Sequence, residues 1–288
     1  MTPPATTHGR ARRIDAHHHV WDLAVRDQPW TAEFPPLRRS FAMDELLPQL
    51  ARAGVEGTVV VQTVDVPDET PDLLALSQVH PEIRGVVGWV DLTAADVADR
   101  LASLRDVPGG DKLVGVRHQV QAEADPSWLI RDDVLRGLRA VAEAGLVFDL
   151  LVRPHQLPTA IEAVRRTPHG SFVLDHLGKP AIAAAGLEPW AGLVRELATR
   201  DNVACKLSGM VTEASPDWSL ADLAPYAAHV LSVFGPARVM AGSDWPVCLL
   251  RAGYADVWTA NEDLLASLSE AERDAVLGGT ATTWYGLS

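Results

Sequence analysis

The stretch RIDAHHHVWD, residues 13–22, decides how the rest of the chain is read. Its pattern predicts a strand over 13–20. Successive strand side chains point to opposite faces, so His17 and His19 share one face and His18 takes the other. Asp15 is expected on the His17 face, deeper in, as a buried hydrogen-bonded support. A His-x-His pair on one face can grip a metal ion, polarise a carbonyl or hold a water; it can equally be a satisfied structural cluster. The strand leads into HHHVWDLAVRDQPW, which contains no glycine, and the chain has neither a GxGxxG turn nor a P-loop. An open doubly wound sheet, which carries a glycine-rich phosphate turn after its first strand, is thereby the weaker architecture.

Seven further runs read as strands: GTVVVQTV (57–64), IRGVVGWVDL (83–92), LVGVRHQV (113–120), LVFDLLVR (146–153), SFVLDHLG (171–178), VACKLSGM (203–210) and RVMAGSDW (238–245). Helical segments separate them. MDELLPQLARAG closes on Gly54 as a C-terminal glycine cap, and TPDLLALSQVHPE opens with Thr70 as N-cap and Pro71 behind it. Residues 256–286 read as two closing helices, the second running through SEAERDAVLGGTATTWYG. Strict alternation implies a parallel sheet with right-handed crossovers, and eight units imply a closed barrel. The expected fold is α/β, a single distorted (β/α)8 TIM barrel over residues 13–288, behind a flexible leader over 1–12. Residues 22–43, between the first strand and the first helix, are apolar and proline-rich and read as a lid or pocket wall.

Charge and cysteine usage narrow the function. With 25 Lys and Arg against 38 Asp and Glu, the net charge is −13, which argues against a nucleic-acid backbone or an anionic membrane as partner. No window is long and apolar enough for a membrane span, and no signal peptide is evident. Two cysteines, Cys205 and Cys248, cannot form a disulfide framework and fit a reducing compartment, so a cytoplasmic location is expected.

In a (β/α)8 barrel, chemistry sits at the C-terminal ends of the strands. There the sequence places His17 and His19, Arg117 and His118, Asp149, Asp175 and His176, Lys206 and Ser208, and Asp244 and Trp245. Charged groups in apolar strands are costly unless paired or functional, and their gathering at one end points to one convergent site. Asp149 has the alternative of a structural ion pair with Arg117 or Arg153. His118 has that of facing the helices, and Lys206 that of reaching out at the rim.

DAHHHVWD, LRRSF before the first helix, GVRH, DHLGKP and GSDWPV together resemble the amidohydrolase superfamily. More narrowly, they resemble its lactonase branch, that of the L-fucono- and L-rhamnonolactonases and 2-pyrone-4,6-dicarboxylate lactonase. The resemblance implies a distorted barrel and hydrolysis of a cyclic ester. It carries His17, His19, His176 and Asp244 over as site residues. Read with the other polar strand ends, the lid and its tryptophans, catalysis is expected on Asp244, His17, His19, His176 and Arg117, and substrate binding on Trp30, Arg38, His118, Asp149 and Trp245. The resemblance allows either no required metal or one divalent ion, zinc, on His17, His19 and Asp244. Arg117-His118 and Asp149 stand where a binuclear centre would carry a bridging Lys or Glu and a further His, so two metals are not expected. The expected partner is a small-molecule lactone, with neither nucleic acid nor membrane, and a homo-oligomer stays open. A neutral sugar lactone is favoured over a dicarboxylate lactone; a metal-dependent amide hydrolase or decarboxylase on the same barrel is the other alternative.

Overall fold

The computed structural model describes residues 12–288. Residues 1–11, most of the expected leader, lie outside the described residues. Eight parallel strands follow one another around a single sheet. They are β1 (Ile14–His18), β2 (Gly57–Val61), β3 (Ile83–Gly88), β4 (Leu113–His118), β5 (Val147–Leu150), β6 (Ser171–Leu174), β7 (Val203–Leu207) and β8 (Val239–Ala241). Helices α1 (Met43–Ala53), α2 (Glu69–Val79), α3 (Val97–Asp106), α4 (Asp132–Glu143), α5 (Leu157–Arg166) and α6 (Trp190–Ala198) connect them up to β7. A one-turn α7 (Met210–Glu213) and the long α8 (Leu220–Phe234) link β7 to β8, and α9 (Tyr254–Leu264), α10 (Glu270–Asp274) and α11 (Thr280–Tyr285) complete the chain. β1 and β8 close the ring through a parallel bridge, His18 to Trp245. Asp244 N donates to His17 O at 2.8 Å and His19 N to Trp245 O at 2.6 Å. The architecture is the (β/α)8 barrel, and the doubly wound alternative falls.

Alternation along the strands sorts the apolar residues into two bodies. Ile14, Ala16, Val59, Val61, Val87, Val147, Val173, Ala204 and Met240 pack together inside the barrel, where α11 adds Ala281 and Tyr285 as a stopper. Their strand neighbours, such as Val60, Val116, Phe148, Phe172, Cys205 and Leu207, belong to the larger core between sheet and helices. Cys205 and Cys248 are free and buried.

β1 departs from regular alternation, and this corrects one expectation. Ile14 and Ala16 face the interior, so a regular strand would turn His17 outward. The register with β2 shifts between Asp15 and His18, and the shift brings His17 and His19 inward while His18 meets Thr58 Oγ1 at 2.9 Å. Asp15 therefore does not share the His17 face. Its carboxylate accepts from the backbone N–H of Ser243 at 2.8 Å and of His17 at 3.2 Å, joining β1 to the segment after β8.

Two helix boundaries also differ from expectation. α1 ends as read, with Gly54 in the left-handed region at φ 65°. α2 begins at Glu69, before Thr70-Pro71; Thr70 Oγ1 accepts from Trp89 N at 2.7 Å and donates to Trp89 O at 3.1 Å instead of capping a helix. The closing SEAERDAVLGG segment is not one continuous helix. A wide turn, Ala275–Gly279, separates α10 from α11 where Gly278 leaves helical geometry; a Cβ there would stand 1.9 Å from Arg12 O, so only glycine lets the turn pass this close to the chain before β1.

Candidate active site

All eight sequence-read strands run on too far at their C-terminal ends, and the overrun is where the site begins. β6 stops at Leu174 and β8 at Ala241, so Asp175, His176 and Asp244 sit on the turns just beyond the ladder. The turn after β6 is unusual: His176 (φ 53°), Leu177 (56°), Gly178 (72°) and Lys179 (54°) are all left-handed. Non-glycine residues pay roughly 1–2 kcal/mol each for that conformation, so the surrounding fold must hold the turn in place. Asp244 is likewise left-handed at φ 57°.

These turns and β1 bring four groups to one point. Asp244 Oδ1 lies 3.5 Å from His19 Nε2, 3.8 Å from His17 Nε2 and 3.9 Å from His176 Nε2. His17 and His19 face each other through their Nε2 atoms at 3.1 Å. His19 Nδ1 donates to Val61 O at 2.7 Å, and His176 Nδ1 lies 2.9 Å from Ser208 Oγ. Two glycines make room. A Cβ on Gly209 (φ 65°) would stand 2.6 Å from His176 Nδ1, and one on Gly242 would stand 2.9 Å from the His17 Cβ.

Electrostatics give the groups distinct states. Burial works to raise the Asp244 carboxyl, but His176, His19 and Lys179 outweigh it and hold it below the usual aspartate value. Burial lowers His176 to about 4 against the pull of Asp244 and Asp175. Burial, with the Lys206 charge, pushes His17 well below the ordinary histidine value. At neutral pH the site thus sets the Asp244 carboxylate against the uncharged imidazoles of His17 and His176.

Beneath the site lies a buried charge network. Lys206 Nζ stands 2.5 Å from Asp149 Oδ2, 3.0 Å from Asp175 Oδ1 and 3.1 Å from His17 Nδ1. Arg117 donates to Asp175 Oδ2 at 3.0 Å, to Gln62 O at 2.5 Å and to Gln62 Oε1 at 3.1 Å. Its Nη1 lies 3.3 Å from His17 Nε2. Tyr285 donates its hydroxyl to Asp149, 2.8 and 2.9 Å from the two oxygens. Two carboxylates and two cations therefore neutralise one another in the barrel interior, as buried charges must.

Above the site opens a cavity of about 500 Å³. His19, Arg117, His176 and Asp244 form its floor; Trp30, Glu33 and Phe34 from the β1–α1 segment form one wall. Gln119, Gln121, Arg153, Lys179, Glu213 and Arg251 supply its other polar groups. The β1–α1 segment is thus a pocket wall. Of the residues expected to bind substrate, Trp30 alone lines this cavity. Asp149 is fully buried, because it shares the inward parity of Val147 and is sealed by Lys206 and Tyr285. His118 stacks on Trp128 with ring centroids 4.1 Å apart and meets Glu123 at 2.7 Å, held among the loops outside the cavity. Arg38 donates to Gln28 O at 3.0 Å and pairs with Asp27 at 2.6 Å. Trp245 is buried against Phe41. Lys206, expected at the rim, is wholly buried. Gln62 and Tyr285 carry no role in the sequence reading, and Asp175 only a place among the polar strand ends. Parity could have found Lys206, two residues after inward Ala204; nothing local marks Tyr285.

The spacing of the ligand atoms suits one zinc ion. Tetrahedral ligands about 2.0–2.1 Å from zinc stand about 3.3 Å apart, and the His17, His19 and Asp244 atoms are separated by 3.1, 3.5 and 3.8 Å. Val61 O accepts from His19 Nδ1 and so orients that ring, as the group behind a ligating imidazole does. His17, Asp175 and His176 form the other cluster of metal-ligating type among the described residues.

Fold and site together define a (β/α)8-barrel enzyme with a histidine–carboxylate centre at the C-terminal mouth. The chain belongs to the amidohydrolase family, whose model matches residues 14–287, and it is a hydrolase of that family. It is 41% identical to an L-fucono-1,5-lactonase of Burkholderia multivorans, covering 96% of this chain and 97% of the relative. It is 39% identical to an L-fucono-1,5-lactonase of Burkholderia ambifaria, covering 95% of each. Among solved structures, an amidohydrolase from Burkholderia multivorans with bound zinc superposes with a TM-score of 0.90 at 40% identity, covering 96% of this chain and all of the other.

Proposed function

We propose that the protein opens a neutral sugar lactone, with Asp244 as general base. The observation that carries this reading is the convergence of the Asp244 carboxylate with the imidazoles of His19 and His176 on the floor of a sugar-sized cavity, with His17 directly beneath them. Similarity to two L-fucono-1,5-lactonases along nearly the whole chain supports the substrate class.

Water is a poor nucleophile and an ester carbonyl a modest electrophile. Asp244, ionised at neutral pH, takes a proton from water as the oxygen attacks the lactone carbonyl carbon. The oxyanion that develops is met by an N–H donor from His176 and by the nearby Arg117 charge. When the ring C–O bond breaks, the proton held on Asp244 passes to the leaving alkoxide, so the product is an open hydroxy acid. A zinc ion on His17, His19 and Asp244 would add Lewis-acid polarisation of the carbonyl.

Substrate charge follows from the cavity walls. A forked arginine is the usual grip on a carboxylate, but Arg117 spends its donors on Asp175 and Gln62. Elsewhere basic and acidic groups are interspersed, with Lys179 paired to Glu213 at 3.1 Å. Such a wall, with Gln119 and Gln121 for hydroxyls and Trp30 for a C–H face, suits an uncharged polyol better than a dianion. The test is a pH-indicator screen of aldonolactones against dicarboxylate lactones, with and without chelator. Preferred turnover of an aldonolactone is expected. Turnover of dicarboxylate lactones alone would overturn the substrate, and turnover of none would overturn the reaction.

A further inference from the structure

Asp15 is a wholly buried carboxylate at the start of β1. Ile14 and Ala16 on either side of it face the barrel interior, so Asp15 points to the helix side, where the buried Tyr254 of α9 stands beside it. A buried carboxylate is costly unless donors take up its oxygens. The donors that meet Asp15 belong to the backbone: Oδ1 accepts from His17 N at 3.2 Å and from Ser243 N at 2.8 Å.

Each of these bonds bears on a different half of the site. From Asp15 to His18 the first strand advances three residues while β2 advances two, from Thr58 to Val60, which leaves one residue over in β1. The bond from His17 N to the side chain two residues before it closes a local turn that competes with the regular ladder, and it lies inside that interval. The extra residue is what turns His17 and His19 inward. The second bond holds the neighbour of Asp244. Trp245 N donates to Ser243 Oγ at 3.0 Å, and Asp244 N donates to His17 O at 2.8 Å. Asp244 keeps its left-handed backbone, φ 57°, within this junction, a conformation that persists only where the surroundings hold it.

We propose that Asp15 is a positioning residue for lactone opening: its Oδ1 pins the extra residue of β1 and the Ser243–Trp245 turn to each other, and so sets the distance between the His17–His19 pair and Asp244. The inference rests on this centre being where a lactone is opened. The role requires an acceptor oxygen at that point, not a charge.

The variants Asp15→Asn and Asp15→Ala test it. Asp15→Asn keeps a carbonyl oxygen for both N–H groups, and its amide can donate to Tyr254 Oη; kcat on the preferred aldonolactone should stay close to the parental value. Asp15→Ala removes the acceptor, and kcat should fall about 10²-fold, the cost of a displacement on the order of 1 Å at a reacting group. KM should change little, because the cavity walls come from other segments. Rates are normalised to folded protein by circular dichroism. Crystal structures give a readout free of substrate. In Asp15→Ala, Asp244 Oδ1 should stand further from His19 Nε2 than the parental 3.5 Å, by about 1 Å, while Asp15→Asn should superpose on the parent. Parental kcat or unmoved groups in Asp15→Ala would overturn the proposal. Equal loss in both variants would overturn it too, by making charge the requirement. Should Asp15→Ala not fold, Asp15→Ser decides in its place: its hydroxyl falls short of Ser243 N, so kcat should drop at least about tenfold, and parental turnover would overturn the proposal. The structures need no lactone, so failure here is distinguishable from failure of the substrate assignment.

Discussion

At the residue scale, Asp244 and the imidazoles around it divide the work by charge. Asp244→Asn keeps the shape and removes the base, so kcat for lactone opening should fall at least about 10²-fold, the usual contribution of general base catalysis. Steady-state kinetics on the preferred aldonolactone check this, and near-parental turnover would refute the role. The pH profile follows from the same environment. Asp244 is held below the ordinary aspartate value and burial keeps His176 uncharged down to about 4. The acid limb of kcat/KM is therefore expected near pH 4. A limb near 6.5, where an unperturbed histidine titrates, would mean that burial does not control His176. Arg117 shows how far residue type alone can carry a reading. Its place at the end of β4 was legible, but its commitment to Asp175 and Gln62 was not, because those partners come from other turns.

At the scale of the element, the strands were legible because β-branched runs between turn signals recur with little ambiguity. Their ends were not, since apolar residues continue past the last ladder hydrogen bond into the turns that bear the site. The irregularity in β1 was equally hidden. Three consecutive histidines fit either parity, and only the inward packing of Ile14 and Ala16 reveals that the register must shift for His17 to face the cavity. The turn after β6 offers a test. Gly209→Ala would drive a methyl into the His176 ring, 2.6 Å from Nδ1. A displacement on the order of 1 Å at a reacting group can cost about 10²-fold in rate. Loss of kcat with a native circular dichroism spectrum is expected, and unaltered kcat would show that His176 need not hold its position.

For the whole molecule, the buried network ties β1, β4, β5, β7, the β2 and β6 turns and α11 into one electrostatic unit. Lys206→Met alone strands carboxylates in the interior and should cost about 3–5 kcal/mol; K206M/D149N should cost clearly less. Denaturant unfolding of both separates this from a simple packing defect, which would make the double variant the worse of the two. Stability should also fall on acidification. Burial depresses His17 strongly, His18 to about 3 and His176 to about 4, so the unfolded chain binds protons that the folded one refuses. Their contribution is complete above pH 6.5 and is lost as pH falls towards 4. Asp15, raised by burial to about 6, acts in the opposite sense between about 3.8 and 6, as does Asp149. Three histidines outweigh two carboxylates, and thermal melts at pH 7 and pH 5 should show the lower midpoint at pH 5.

The stopper at the base of the barrel has a further consequence for how the chain is made. Tyr285 reaches Asp149 from the last helix, and β1 finds β8 only after some two hundred residues have intervened. A ribosome that has translated residues 1–250 holds a polypeptide whose innermost aspartate still lacks its phenol. The finished interior thus follows emergence of residue 285 from the exit tunnel, since the phenol that meets Asp149 is among the last residues made.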